Sequence, residues 1–249
     1  MNLATKYTSN FNPISLAEID GVKLMNRTDT KFAFSADKLQ NIFTQLIPYY
    51  DILEIDKKRI HSYKSLYFDT IDRKFYNDHH NKRVNRHKIR FREYVDSSLI
   101  FLEVKRKTNK GRTVKKRLKV KKITNNLTAD QQKYVDRIIG DSLFVKPIQW
   151  INFSRITLVH KTQKERLTLD VNLDYYDSNF CGDLKKVIIA EVKQERMSRS
   201  SDFIRIAKEM NVFPMRISKY CFSSMQLDRT LKQNRFKEKK IFINKIIQE

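Results

Sequence analysis

The chain has 249 residues, enough to bury a substantial core, and its 51 Lys+Arg against 28 Asp+Glu give a formal charge of +23. That surplus points to a polyanionic partner such as nucleic acid, polyphosphate, a nucleotide or an anionic membrane, while 40% apolar residues with 16 Phe and 11 Tyr exclude a disordered polycation. Cys181 and Cys221 lack metal-site spacing, and no run approaches the roughly 18 apolar residues of a membrane span. The expected location is the cytoplasm, with a peripheral position at the inner face of the membrane as the alternative.

Period-two alternation dominates the pattern. In chain order it predicts a strand at 27–34, a helix at 36–47 stopped by Pro48, and strands at 61–69, 86–94, 100–107 and 112–118. A capping-box pattern, Thr128 with Gln131, opens a helix over 128–139, and strands follow at 151–159, 164–170 and 187–193. Helices over 201–210 and 217–228 precede a basic segment, 229–249, that reads as a terminal helix or tail. Short polar links at 96–98, 108–111 and 161–163 suggest hairpins. No repeat or composition break precedes residue 229, so residues 1–228 read as one domain.

Residues two apart on a strand share a face. Arg86, Lys88, Arg90, Arg92 and Tyr94 thus oppose Ile89 and Phe91, and Phe101, Glu103, Lys105 and Lys107 oppose Ile100, Leu102 and Val104. The split recurs in Thr113, Lys115 and Arg117, in Arg166, Thr168 and Asp170, and in Glu191 and Lys193. An antiparallel sheet with one wet face would explain each strand singly. Helices with their own apolar stripes need a surface to cover, however, and a sheet closed on itself would turn the charged faces inward as a basic tunnel.

Carboxylates on an anion-binding face repel the ligand unless a divalent cation joins them. Glu191 is the leading candidate to hold one, Glu103 is either a second or an ion-pairing partner for Lys105, and Asp29, Glu93, Asp170 and Glu195 follow. His79 and His80 read as a surface pair in a polar connection, and His61 and His87 flank strands. No nucleotide-binding glycine motif is present, and NKGR at 109–112 reads as a turn.

RTDTKF at 27–32, SLYFDT at 65–70, KIRFREY at 88–94, LEVKRK at 102–107, GRTVKKR at 111–117, RLTLD at 166–170, AEVK at 190–193 and ISKY at 217–220 appear in order. Together they resemble the vacuolar transporter chaperone (VTC) catalytic domain and its bacterial polyphosphate polymerase relatives over roughly residues 20–225. That resemblance implies a mainly β (α+β) triphosphate tunnel metalloenzyme (CYTH-like) fold: a closed eight-stranded antiparallel barrel with flanking helices. It also implies transfer of the terminal phosphate of ATP to inorganic phosphate or a growing polyphosphate chain, with Mn2+ or Mg2+ as cofactor.

Carried onto this chain, the resemblance makes Lys31, Arg90, Arg92, Lys105 and Lys193 catalytic, with phosphate held by Arg27, Lys115, Arg117, Arg155, Arg166, Lys219, Tyr63 and Ser65. Glu191 matches the family's metal position. Related triphosphatases commonly carry an ExExK strand where this chain has Arg27, Asp29 and Lys31, which favours the polymerase-like branch and leaves fewer carboxylates for two metals. The alternatives are a triphosphatase or polyphosphatase of the same fold, and a non-catalytic polyphosphate-binding regulatory module. Expected partners are ATP, phosphate and polyphosphate, with a membrane-protein partner left open and no specific nucleic acid.

Overall fold

The computed structural model describes residues 7–20, 28–109, 112–195 and 200–248. In chain order these form β1 (Pro13–Ile14), α1 (Leu16–Asp20), β2 (Thr28–Ser35), α2 (Leu39–Leu46), β3 (Tyr50–Leu53), β4 (Ile60–Asp69), α3 (Lys74–His80), β5 (Arg86–Tyr94), β6 (Leu99–Lys107) and β7 (Thr113–Val120). They continue with α4 (Ala129–Ile139), β8 (Lys146–His160), β9 (Glu165–Tyr176), β10 (Cys181–Leu184), β11 (Val187–Gln194), α5 (Asp202–Glu209), α6 (Lys219–Leu227) and α7 (Lys237–Gln248).

All eight strands expected from alternation are present and run, antiparallel throughout, in the order β2-β11-β9-β8-β4-β5-β6-β7. Short β1, β3 and β10 bring the sheet to eleven strands. The outer face is the apolar one. Leu39, Ile42, Phe43 and Leu46 of α2 and Phe203 and Ile206 of α5 cover Phe32, Phe34, Ile156, Leu158, Leu167, Leu169 and Val192. Farther along, Val135 of α4 covers Leu66, Ile89, Phe91, Leu102 and Val104. The capping box predicted for α4 is formed reciprocally by Thr128 and Gln131.

The charged face is concave. A flat sheet would hold β6 and β11 roughly 24 Å apart, yet the charges of Lys105 and Glu191 act on one another across the hollow, as do those of Lys88 and Lys31. A break in the β8–β9 ladder contributes to the bend: the register slips between Asn152 and Ser154, where Asn172 takes the left-handed conformation at φ 51°.

The sheet is not, however, a closed barrel, which corrects the expected closed eight-stranded tunnel. Among the described residues β2 does not pair with β7. Its free edge is taken instead by the segment before α6, where Phe32 bridges Pro214 and the Met215 N–H donates to the Lys31 carbonyl at 2.7 Å. On the opposite edge β7 remains exposed along nearly its whole length, and Lys115, Lys116, Arg117 and Lys119 keep it from pairing with other chains.

The α6 helix departs from its expected flanking role. It lies inside the hollow at the end where β4 finishes and β8 begins, and Tyr220, Cys221 and Met225 pack with the inner-face side chains of Tyr67, Ile151, Phe153, Leu173 and Ile189. Ile243 and Ile246 of α7 join that cluster, so part of the basic segment 229–249 is a packed helix. Gln149 fastens α6 to β8 by donating to the Tyr220 carbonyl at 3.1 Å and to Ser223 Oγ at 2.6 Å.

The turn after β4, expected to be a polar connection, forms α3, and His80 is 2% exposed there instead of on the surface. Asp69 makes this possible. Its Oδ1 accepts from the N–H groups of Thr70 and Phe75 at 2.8 Å, Oδ2 accepts from Tyr76 N–H at 3.0 Å, and the Tyr220 hydroxyl also donates to Oδ2. One carboxylate thus caps α3 and latches α6. Asp69→Ala should lower the unfolding free energy by about 3 kcal/mol, because several buried donors lose their acceptor. Urea denaturation measures this, and a loss below about 0.5 kcal/mol would show that Asp69 is not the latch.

Candidate functional site

On β5 and β6 the concave face places Arg90 opposite Glu103. Glu103 is 0% exposed; Oε2 accepts from Arg90 Nε at 2.8 Å and Nη2 at 2.5 Å, while Oε1 accepts from Lys115 Nζ of β7 at 3.0 Å. Arg90 Nη1 donates to the Tyr67 hydroxyl at 2.8 Å. Burial opposes ionisation of Glu103, but Arg90, Arg92 and Lys115 outweigh it and hold its carboxyl far below the usual range. Both oxygens are committed to cations, so the geometry makes Glu103 an ion-pairing carboxylate. Its partners are Arg90 and Lys115, not the neighbouring Lys105.

A second cluster joins β8, β9 and α6. Arg155 holds Asp170 through Nε at 2.6 Å and Nη2 at 2.9 Å, and Lys219, the first residue of α6, donates to the same carboxylate. Burial again opposes ionisation of Asp170, and Arg155 and Lys219 override it. Beneath these cations Tyr63 stacks on Phe153 at 5.2 Å with an interplanar angle of 3°. The guanidiniums of Arg92 and Arg155 lie 5.3 and 5.2 Å from the Tyr63 ring centre, and Lys219 Nζ lies 4.7 Å from that of Phe153.

The third cluster is formed by β11, β2 and β9. Lys31 Nζ reaches Glu191 Oε2 at 2.8 Å and Lys193 Nζ reaches the same oxygen at 3.5 Å, while Lys193 also donates to Thr168 Oγ1 at 3.1 Å. Among the described residues no hydrogen bond is made by Glu191 Oε1. Burial opposes ionisation of Glu191, but Lys193 and Lys31 hold it well below the usual range.

On the concave face, Arg92, Lys88 and Lys105 have no carboxylate within ion-pair distance among the described residues: Arg92, 7% exposed, donates from Nε to Ser65 Oγ at 3.3 Å, and Lys88 donates to Ser218 Oγ at 2.8 Å. Arg90 and then burial push Lys105 well below its ordinary pKa. Burial pushes Lys88 and Lys219 down, and takes Lys193 down to about 8 against the pull of Glu191.

The VTC domain model matches residues 26–227. The chain belongs to the VTC domain family. No curated protein matches it. Among solved structures it is similar to an adenylyl cyclase candidate from Hippeastrum described with a dominant triphosphatase activity (TM-score 0.54, 16% identity, covering 82% of this chain and 97% of that one). An adenylate cyclase candidate from Bacillus halodurans superposes with a TM-score of 0.50 at 14% identity, covering 78% and 96% respectively. At such identities the likeness concerns the fold: a mainly antiparallel sheet with flanking helices, as in CYTH-like tunnel proteins.

Within this VTC domain, Lys31, Arg90, Arg92, Lys105, Lys115, Arg155, Lys193, Lys219, Tyr63, Ser65, Glu103 and Glu191 all line the concave face. Of the neighbours Lys115 and Lys116, alternation and the contact to Glu103 both select Lys115. Arg117 sits at the exposed rim, 4.9 Å from the Phe101 ring centre, and Arg166 lies in register with Lys193. Arg27 lies outside the described residues.

Two wall residues were given no site role from the sequence. Lys88 was visible in the alternation and opens the KIRFREY motif, but was not among the residues to which the resemblance assigned a role. Phe153 shares the face of Arg155 by alternation, but an apolar side chain there gives no sign of a charged wall; its pairing with Tyr63 across β4 and β8 brings it in.

Among the described residues no three His, Cys, Asp or Glu side chains are placed to hold an ion. The donors do suit a cation arriving with phosphates, for which one or two carboxylates suffice. Glu191 offers Oε1, and Asp29 lies diagonally across on β2, opposite Lys193.

The depressed lysines carry a pH signature. An anion favours their charged forms, so binding raises their pKa values back toward normal. At pH 8.5, above the value near 8 of Lys193, binding of inorganic tripolyphosphate should therefore put protons onto the lysines and be weaker than at pH 6.5, where Lys193 takes up fewer. Calorimetry in buffers of different ionisation enthalpy reads the proton count; pH-independent binding without uptake would contradict the assignment.

Proposed function

We propose that this VTC domain is a metal-dependent polyphosphate polymerase, moving the terminal phosphate of ATP onto inorganic phosphate or the end of a polyphosphate chain. The observation that carries the reading is the set of uncompensated inner cations. Leaving Lys88 and Lys105 directly across the ladder from one another, with Arg92 farther along the same face, is costly unless an anion occupies the hollow. A row of phosphoryl groups matches that need, with several negative charges at short spacing and oxygens for donors arriving from several strands.

In this reading Arg90 and Arg155 are held rigid by Glu103 and Asp170, so their remaining N–H groups meet the triphosphate without reorganising. Arg92, Lys105 and Lys193 face the phosphoryl group in transfer and stabilise the charge that develops on its oxygens. Lys31 and Glu191 share an ion pair at the edge of the hollow, and Glu191 with Asp29 would hold a divalent cation there. That cation would neutralise phosphate charge when bound. A phosphate acceptor arrives already ionised and needs little help from a general base, and the wall aligns it with the donor.

Hydrolysis is the second reading, favoured by the triphosphatase activity described for the Hippeastrum relative. Incubation with ATP and manganese separates the two. The expected product is a long polymer that exopolyphosphatase degrades; stoichiometric free phosphate would mean hydrolysis, and tight binding without turnover a regulatory module. Arg92→Ala and Lys31→Ala should each lower turnover by about 100-fold or more while the thermal midpoint is kept. Glu191→Gln should weaken the metal dependence, and full activity in all three variants would overturn the assignment.

A further inference from the structure

The mouth of the hollow opposite α6 lies where β4 begins, β5 ends and β6 begins, and on this side the inner wall carries a band of rings among the cations Arg92, Arg155 and Arg117. Phe153, Tyr63, Tyr94 and Phe101 form a continuous aromatic row: Tyr63 meets Tyr94 at 5.1 Å and 60°, and Tyr94 meets Phe101 at 5.9 Å and 84°. Tyr63, Tyr94 and Phe101 are half-buried, and Leu99, paired with Tyr94 across the ladder, is 36% exposed. The facing edge carries Arg166 and Lys193 in register, with Asp29 beyond Lys193. Only one lip of the funnel is therefore aromatic.

A chain of phosphates has no use for such a lip. Phosphate oxygens are hydrated anions, and the negative faces of aromatic rings repel them. A nucleoside triphosphate differs, because a flat aromatic base is tethered to the phosphates. Arg92 and Tyr94 are consecutive inner positions of one strand, about 7 Å apart, so the ring row begins one side chain from the phosphate-facing guanidiniums. Arg117, 4.9 Å over Phe101, adds a second planar surface at the rim.

We propose that Tyr94 and Phe101 form a nucleobase platform at the mouth of the hollow, on which the base of the nucleoside triphosphate stacks while its phosphates enter toward Arg92 and Arg155. The proposal rests on the phosphate site described above and deepens it with a subsite for the donor: the nucleotide is held by its ring as well as by its phosphates. Every base has a π face and the row presents few hydrogen-bonding groups, so binding should discriminate little between ATP and GTP.

The test is calorimetry at fixed salt with two probes, ATP and inorganic tripolyphosphate, on the wild type, Tyr94→Leu, Phe101→Leu and Tyr94→Trp. Each leucine variant keeps apolar bulk but loses the ring. Both should weaken ATP about tenfold while leaving the tripolyphosphate Kd within about twofold, and Tyr94→Trp should retain ATP affinity. Unchanged ATP affinity in the leucine variants, or equal weakening of both probes, would overturn the platform while leaving the phosphate site standing. Failure of tripolyphosphate to bind the wild type would instead remove the phosphate site, and the platform with it.

Discussion

Mutual repulsion of like charges is the constraint around which this molecule is built. Lys31, Lys88, Arg90, Arg92, Lys105, Lys115, Arg155, Lys193 and Lys219 converge on one concave face against the carboxylates Glu103, Asp170 and Glu191. Such a face cannot exist on hydrophobic packing alone, yet packing is what forces it together. The outer apolar clusters under α2, α4 and α5 fix which way every strand faces, and the curl of the sheet then brings the charged side chains into one volume.

The carboxylates divide the labour. Glu103 and Asp170 are saturated by their cations and serve to aim Arg90 and Arg155, because breaking either pair would strand a buried charge. Glu191 differs in receiving both of its lysines on one oxygen. Asp69, on the far side of α6, acts through geometry: it fixes Tyr220, whose neighbour Lys219 completes the Asp170 cluster. Placement of a cation in the hollow thus depends on a helix cap outside it.

Much of this was legible in the sequence because strand periodicity is strict. Arg90, Arg92, Glu103 and Lys105 share a face in any register that buries Phe91 and Leu102, and the eight strands follow from the same rule. Closure was not legible, because alternation says which face a residue occupies and not what pairs with an edge; Pro214 and Met215 occupy the edge of β2 through backbone contacts that leave no side-chain signature. Nor did periodicity reveal that α6 lies inside the hollow, since an apolar stripe on a helix suits either face of a sheet. The aromatic row escaped notice for a third reason: its members come from four strands, and only tertiary pairing sets Phe153 beside Tyr63 and Tyr94 beside Phe101.

A ligand that satisfies the uncompensated cations must sit where their side chains meet. The most direct measurement is a crystal structure of the protein grown with inorganic tripolyphosphate and manganese. Phosphoryl oxygens within hydrogen-bond distance of Arg92, Lys105 and Lys193, with Glu103 and Asp170 still paired to their arginines, is the predicted result. Tripolyphosphate bound to the exposed lysines of β7, with the hollow holding only water, would contradict the account.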